Sequence, residues 1–246
     1  MRKIGVLLCF IVFGVGSVAL SAAILPPLLL FVWNGDRRKL LFVRCVRLSW
    51  CLFRRIMASL RLIEVKVSPE DRRLLASLSS TVIVSTHPSL IDVVLLVSLT
   101  RDSTSIVRGG LSRNPIIRLV LANAFICNDE DPDGLISRSV AALKKGYNLI
   151  IFPEGTRNDG GLGKLKRGAA HIAVRSRADV AVLSVTSRPP MLRKGTGWRD
   201  AGEGRSVYEI RVLDILKTAD VLDAGKGHGL TARALTAKIK GTLEGG

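Results

Sequence analysis

His87 and Asp92 are spaced for acid–base work. His87 follows the apolar run Val82-Ile83-Val84 at a turn marked by Pro88, and Asp92 heads a second apolar run five positions on. The first run reads as a buried strand, and Pro88 suits the first turn of a helix, where its missing N–H is not needed. On that geometry Asp92 lies about one turn into the helix and reaches back to one ring nitrogen of His87. A carboxylate so placed sets the histidine tautomer and stabilises the protonated ring, leaving the other nitrogen to take a proton from a hydroxyl. General-base assistance of this kind contributes about 10²–10⁴-fold in rate. The same residues also fit a plainer role, a turn histidine satisfied by backbone and an aspartate capping a helix.

A second strand-like run, Ile150-Ile151-Phe152, breaks at Pro153 and is followed by Glu154-Gly155-Thr156-Arg157. A backbone turn at Gly155, the Thr156 hydroxyl and the Arg157 guanidinium suit an anionic head group. The ordered pair, His-x4-Asp and then Phe-Pro-Glu-Gly-Thr-Arg, resembles the glycerolipid acyltransferase family, the 1-acylglycerol-3-phosphate acyltransferases and their lysophospholipid relatives. The later text Gly163-Lys164-Leu165-Lys166-Arg167-Gly168-Ala169-Ala170 is similar to the family's continuation, so the resemblance covers roughly residues 82–186.

The resemblance implies direct acyl transfer. His87, oriented by Asp92, deprotonates the hydroxyl of a lyso-lipid, which attacks the thioester carbonyl of acyl-ACP or acyl-CoA. No serine or cysteine nucleophile, cofactor or metal enters. The implied substrate-binding residues are Arg108, where the family often has a lysine, with Glu154, Gly155, Thr156 and Arg157. Two departures bear on the acceptor. Asn128-Asp129-Glu130-Asp131 stands where an arginine is usual, and the strand Ala181-Val182-Leu183-Ser184-Val185 lacks the family's proline. The expected acceptor is 1-acylglycerol-3-phosphate, giving phosphatidic acid; another lyso-lipid, such as a lyso-ornithine lipid, is the alternative.

Composition sets the surroundings of this chemistry. The 246 residues carry a formal net charge of +17, which calls for an anionic partner. A mean hydropathy of +0.31 points to a membrane. Aromatics are 5% and sit mostly in the N-terminal apolar region. A non-catalytic nucleic-acid or anionic-lipid binding module, which would interleave basic residues with exposed aromatics, is therefore a poorer fit than an enzyme on an anionic membrane surface. A hydrolase using His87 on water is the nearer rival. Four scattered cysteines read as free thiols, and three unclustered histidines give a metal site no support.

The elements that position the site fall into three segments. Residues 1–36 form a membrane-embedded segment: residues 4–33 carry no charge, and as a helix residues 4–25 would reach about 33 Å, enough for a bilayer core of about 30 Å. Pro26-Pro27 is expected to end that helix. The heavier basic flank, Arg37-Arg38-Lys39, places the rest on the cytoplasmic face, as in a bacterial inner membrane. A leaflet-dipping helix or a cleaved leader are the other readings of the same text. Residues 37–64 form a basic amphipathic interfacial helix. Arg44, Arg47, Arg54, Arg55 and Arg61 share one arc, with Phe42, Leu52, Phe53, Ile56 and Leu60 opposite, to lie among acyl chains. Residues 65–246 form the acyltransferase domain, of the α/β class, with a mostly parallel or mixed sheet covered by helices. Strands are expected at 82–84, 104–107, 124–127, 149–152, 180–185 and 207–213, and helices at 91–98, 115–121, 135–144, 166–175 and 228–243. Residues 193–205 are expected to form a glycine-rich loop.

Overall fold

The computed structural model describes residues 2–128, 131–157, 162–193, 195–196, 204–222 and 227–246. Its N-terminal rod is helix α1 (Arg2–Ala19), a π-helical turn (Leu20–Ile24) and helix α2 (Leu25–Phe31). Here the expectation for Pro26 and Pro27 fails, because the rod runs through them. The Leu25 N–H reaches back five residues to the Leu20 carbonyl, and the widened turn removes the clash a proline ring makes in a regular helix. The two prolines then occupy the first turn of α2, where no N–H is needed. Val6, Cys9, Ser17, Leu20 and Leu25 are buried against the body, while Leu8, Ile11, Val15, Leu29, Leu30 and Phe31 stay exposed.

Helix α3 (Gly35–Ser59) starts at Asn34, whose side chain accepts from the Arg37 N–H. Its apolar positions Phe42, Val43, Val46, Trp50, Phe53 and Met57 recur at helical spacing and are all buried. They pack on protein: Phe13 of α1 lies 5.5 Å from the Phe53 ring, and Trp50 stacks on Phe125 at 5.3 Å. Phe42 and Phe53, expected among acyl chains, are therefore core residues, whereas Leu48 and Leu52 remain open. Part of the arginine arc is also tied to protein. Arg44 grips Asp102 with two hydrogen bonds of 2.8 and 2.9 Å, and Arg47 Nε donates to the Thr100 carbonyl at 2.7 Å. The Arg44 bonds hold the Asp102 carboxyl below the usual carboxylate range.

The sheet has seven strands among the described residues: β1 (Ile63–Lys66), β2 (Val82–Ser85), β3 (Ser103–Arg108), β4 (Ile126–Asn128), β5 (Asn148–Ile151), β6 (Val180–Arg188) and β7 (Ser206–Leu216). Their order is β1-β7-β6-β2-β5-β3-β4, parallel throughout except for β6 against β7. β2 and β5 are buried at every position, as expected for central parallel strands written as unbroken apolar runs. Six helices cover the sheet: α4 (Pro69–Ser77), α5 (Asp92–Leu99), α6 (Pro115–Ala124), α7 (Pro132–Lys144), α8 (Gly168–Ser176) and α9 (His228–Gly245). Two elements escape the sequence reading. β1 is a four-residue edge strand with little alternation to detect. α4 does carry a signal: Ser68 accepts from the Asp71 N–H, Pro69 opens the helix, and Glu70 and Asp71 fill its first turn. All four cysteines are free thiols.

Because β2, β5 and β6 run parallel, their carboxyl ends open onto one edge, the usual place for a site in such a sheet. Three loops meet there, those after β2, β5 and β6.

Candidate active site

The loop after β2 leaves the sheet at Thr86, which is pinned to the next strand. Its hydroxyl donates to the Val185 carbonyl at 2.9 Å and accepts from the Val185 N–H at 2.8 Å. His87 follows, and its Nδ1 lies 2.9 Å from Asp92 Oδ2. The local geometry differs from the expectation in one respect. Pro88 stays in the turn, and the helix begins at Asp92 itself. The turn suits a buried carboxylate better than a helix would, since it aims two further donors at Asp92. The Ser89 N–H donates to Oδ2 at 2.7 Å and the Ser89 hydroxyl to Oδ1 at 2.5 Å. Asp92 is fully buried, so these donors offset the desolvation of its charge. With Nδ1 committed to Asp92, Nε2 is the ring nitrogen left for a substrate hydroxyl.

The His87 ring is held from the side as well. Phe152, the residue after β5, stacks on it with centroids 4.0 Å apart and planes 19° from parallel. Behind Ser89 the phenol of Tyr208 is fully buried, its hydroxyl near those of Ser89 and Ser187. Burial pushes its pKa up to about 12, so it is a neutral wall.

His87 lines a cavity of about 350 Å³ together with Glu154, Thr186, Ser187, Arg188, Arg193 and others. Glu154 is buried there, and its Oε2 accepts from the Gly163 N–H at 3.3 Å. Gly155 has φ +71°, a left-handed conformation that favours glycine, and the end of the Lys166 side chain lies over it. Thr156 is half-buried beside it. Arg157 turns away from the role expected of it: Nη1 donates to the carbonyls of Leu192 and Arg193, both at 2.9 Å. Arg108 is exposed at the end of β3, paired in register with Asn128, and is not among the residues lining the cavity. Of the acidic run, Asp129 and Glu130 lie outside the described residues, and Asp131 caps α7 by accepting from the Gly134 N–H at 2.9 Å. Most of the expected 193–205 loop also lies outside the described residues.

The sequence reading missed Arg188 and Arg193. Each follows an ordinary strand or turn pattern, and nothing local marks either as lining the cavity with His87. A larger cavity of about 450 Å³, lined by Lys39, Phe125, Arg138 and Tyr147 among others, lies at the opposite ends of β4 and β5. It contains no base with an orienting acid.

Known proteins resemble this chain in sequence and in fold. The chain is 35% identical over 111 residues to a chloroplastic 1-acyl-sn-glycerol-3-phosphate acyltransferase of Arabidopsis thaliana, a match covering 43% of this chain and 31% of that protein. It is 32% identical over 118 residues to a 1-acyl-sn-glycerol-3-phosphate acyltransferase of Cocos nucifera, covering 45% of this chain and 38% of that one. The matched region is thus about a third of each relative's length. The fold matches the crystal structure of the 1-acyl-sn-glycerophosphate acyltransferase PlsC of Thermotoga maritima, with a TM-score of 0.68 at 17% identity over 98% of this chain and 97% of that one. Residues 66–188, half of the chain, match the family model described as Acyltransferase, and the chain belongs to that family.

Proposed function

We propose that this protein is a membrane-associated O-acyltransferase that moves a fatty acyl chain from acyl-ACP or acyl-CoA to the free hydroxyl of 1-acylglycerol-3-phosphate, giving phosphatidic acid. The observation that carries this reading is the His87–Asp92 pair, 2.9 Å apart, its carboxylate buried and its histidine lining the cavity. His87 Nε2 takes the hydroxyl proton as the oxygen attacks the thioester carbonyl. Asp92 stabilises the imidazolium that forms. Collapse of the tetrahedral intermediate expels the thiolate, which recovers the proton from His87. The acceptor itself is the nucleophile, so no acyl-enzyme is required.

The acceptor resides in a bilayer, and the exposed apolar side of α1 and α2 is suited to meet it. Because that rod packs lengthwise on α3 and α6, we read it as lying along one leaflet, with the body on the cytoplasmic side. A rod held this way would carry charged parts of the body into the hydrocarbon if it stood upright.

The test is direct. Purified protein is incubated with labelled acyl-ACP or acyl-CoA and a panel of lyso-lipids, and the products are identified. Phosphatidic acid from 1-acylglycerol-3-phosphate is expected. Free fatty acid as the sole product, with or without acceptor, would make this a hydrolase and end the proposal.

A further inference from the structure

The larger cavity, of about 450 Å³, shares no lining residue with the one that holds His87, and it is cationic. Lys39 of α3, Arg138 of α7, and Lys145 and Tyr147 from the turn between α7 and β5 line it. No carboxylate lines it among the described residues. The protein uses some of this charge itself. Arg138 Nη2 donates to the Cys127 carbonyl at 3.3 Å, and Lys145 pairs with Asp36 at 2.5 Å while keeping N–H donors to spare. Lys39 differs. It is half-buried, pairs with no carboxylate among the described residues, and rests over the Tyr147 ring, 5.9 Å from its centre. Burial and the neighbouring Lys145 ammonium both push its pKa down, so its charge is poorly served by water. The Tyr147 side chain is buried and its hydroxyl has no acceptor among the described residues. Burial pushes its pKa up to about 12, which keeps the hydroxyl a donor.

The backbone around these donors is also prepared for an anion. Open carbonyls at the end of α7 would repel one. The chain closes them itself: the Lys145 N–H takes the carbonyls of Ala141 and Ala142, the Gly146 N–H that of Leu143, and the Tyr147 N–H that of Ala142. Phe125, another lining residue, is fixed by its stacking on Trp50.

The place of the cavity in the fold points to the source of the anion. Lys39 lies six residues after Trp33, and about 6 Å along α3 from its first residue. Phe31 and Trp33, 80% and 90% exposed, stand at the end of the apolar rod. A tryptophan in that position sits at the head-group level of a bilayer, where lipid phosphates also lie.

We infer that Lys39, Lys145 and Tyr147 form a binding site for the phosphate of an anionic membrane phospholipid, separate from the catalytic cavity. A lipid held there bridges α3 to the turn before β5, and so fastens the membrane-facing helices to the sheet. The inference rests on the reading of the rod as lying along a leaflet, and it does not depend on the acceptor.

Flotation of the full chain with lipid vesicles tests it. Vesicles of phosphatidylcholine alone are compared with vesicles that also contain phosphatidylglycerol, for the wild type, Lys39→Gln, Tyr147→Phe and Arg37→Ala. Arg37 is exposed two residues from Lys39 and does not line the cavity, so it reports diffuse surface charge. Tyr147→Phe removes a hydroxyl and no charge, and circular dichroism checks that each variant is folded. Phosphatidylglycerol should tighten wild-type binding, and Lys39→Gln should weaken binding to those vesicles about tenfold or more. Tyr147→Phe should weaken it about fivefold, against about fivefold or less for Arg37→Ala. Lys39→Gln binding no worse than Arg37→Ala, or Tyr147→Phe binding as the wild type does, overturns the site and leaves only diffuse charge. Inorganic phosphate, matched to the phosphatidylglycerol concentration that saturates binding, should leave flotation unchanged. Release of the protein by that phosphate would make this a site for a free anion and overturn the lipid assignment. If the wild type floats with neither kind of vesicle, the membrane reading of the rod fails and the site with it.

Discussion

After β2 and after β5 the chain does the same thing: a buried apolar strand ends at a proline-containing turn, and polar side chains follow. The two turns even touch, through the stacked rings of His87 and Phe152. Yet their polar groups have different work. In the first turn His87 and Ser89 converge on one carboxylate, which receives His87 Nδ1, the Ser89 N–H and the Ser89 hydroxyl. In the second the polar groups disperse. Gly155 makes room for Lys166, Glu154 takes the Gly163 N–H, and Arg157 fastens a loop 35 residues away in sequence. One turn gathers the pair proposed above as base and orienting acid; the other supplies part of the cavity beside it. Similar sequence texture therefore does not imply similar function, because what a long side chain reaches depends on which loop stands opposite.

The largest effect should come from the first turn. His87→Ala removes the base and should lower kcat by about 10²–10⁴-fold. Asp92→Asn keeps the shape but loses the charge that stabilises the imidazolium, and about 10³-fold is expected by analogy with the aspartate of a Ser–His–Asp triad. Both should be measured on folded protein, as judged by circular dichroism. Near-normal turnover by folded His87→Ala would leave the first turn no more catalytic than the second.

Arg157→Ala probes the second turn. If the guanidinium acts by holding the loop, its loss should raise the acceptor KM about tenfold and speed amide exchange around Leu192 and Arg193 together. Two charge-assisted bonds to carbonyls are also worth about 1.5–3 kcal/mol of stability, visible as a lower Tm. A raised KM with loop exchange as in the wild type would mean that Arg157 meets the substrate directly, and the contrast between the turns would collapse.

Ser89→Ala should have the smallest effect. It removes one of three donors to a fully buried carboxylate, at about 1–3 kcal/mol of stability, while leaving the His87 contact in place. A drop in kcat of roughly tenfold or less is expected, from a less firmly held Asp92. Unchanged Tm and kcat would show that the 2.5 Å contact does no positioning.

How much of this could be read without coordinates follows the distance over which each feature is decided. The α/β class, the central strands and the His87–Asp92 pair were legible because each is local. Apolar runs announce β2 and β5, and five residues across a turn leave little choice of partner. Short or unpatterned pieces such as β1 were not, and the passage of the rod through Pro26 and Pro27 depended on a widened turn that no periodicity reports.

By itself, then, the sequence determined that α3 would bury one face, that a histidine would meet an aspartate, and that the surface would be basic. The tertiary structure alone decided what that face meets. Protein core and lipid are both apolar, so the pattern of Phe42, Val46 and Phe53 cannot distinguish them, and the fold chose α1, α5 and α6. It also decided which arginines face the cavity. A guanidinium is equally at home on a carbonyl, a carboxylate or a phosphate, and only the loop placed beside it by the sheet order makes that choice.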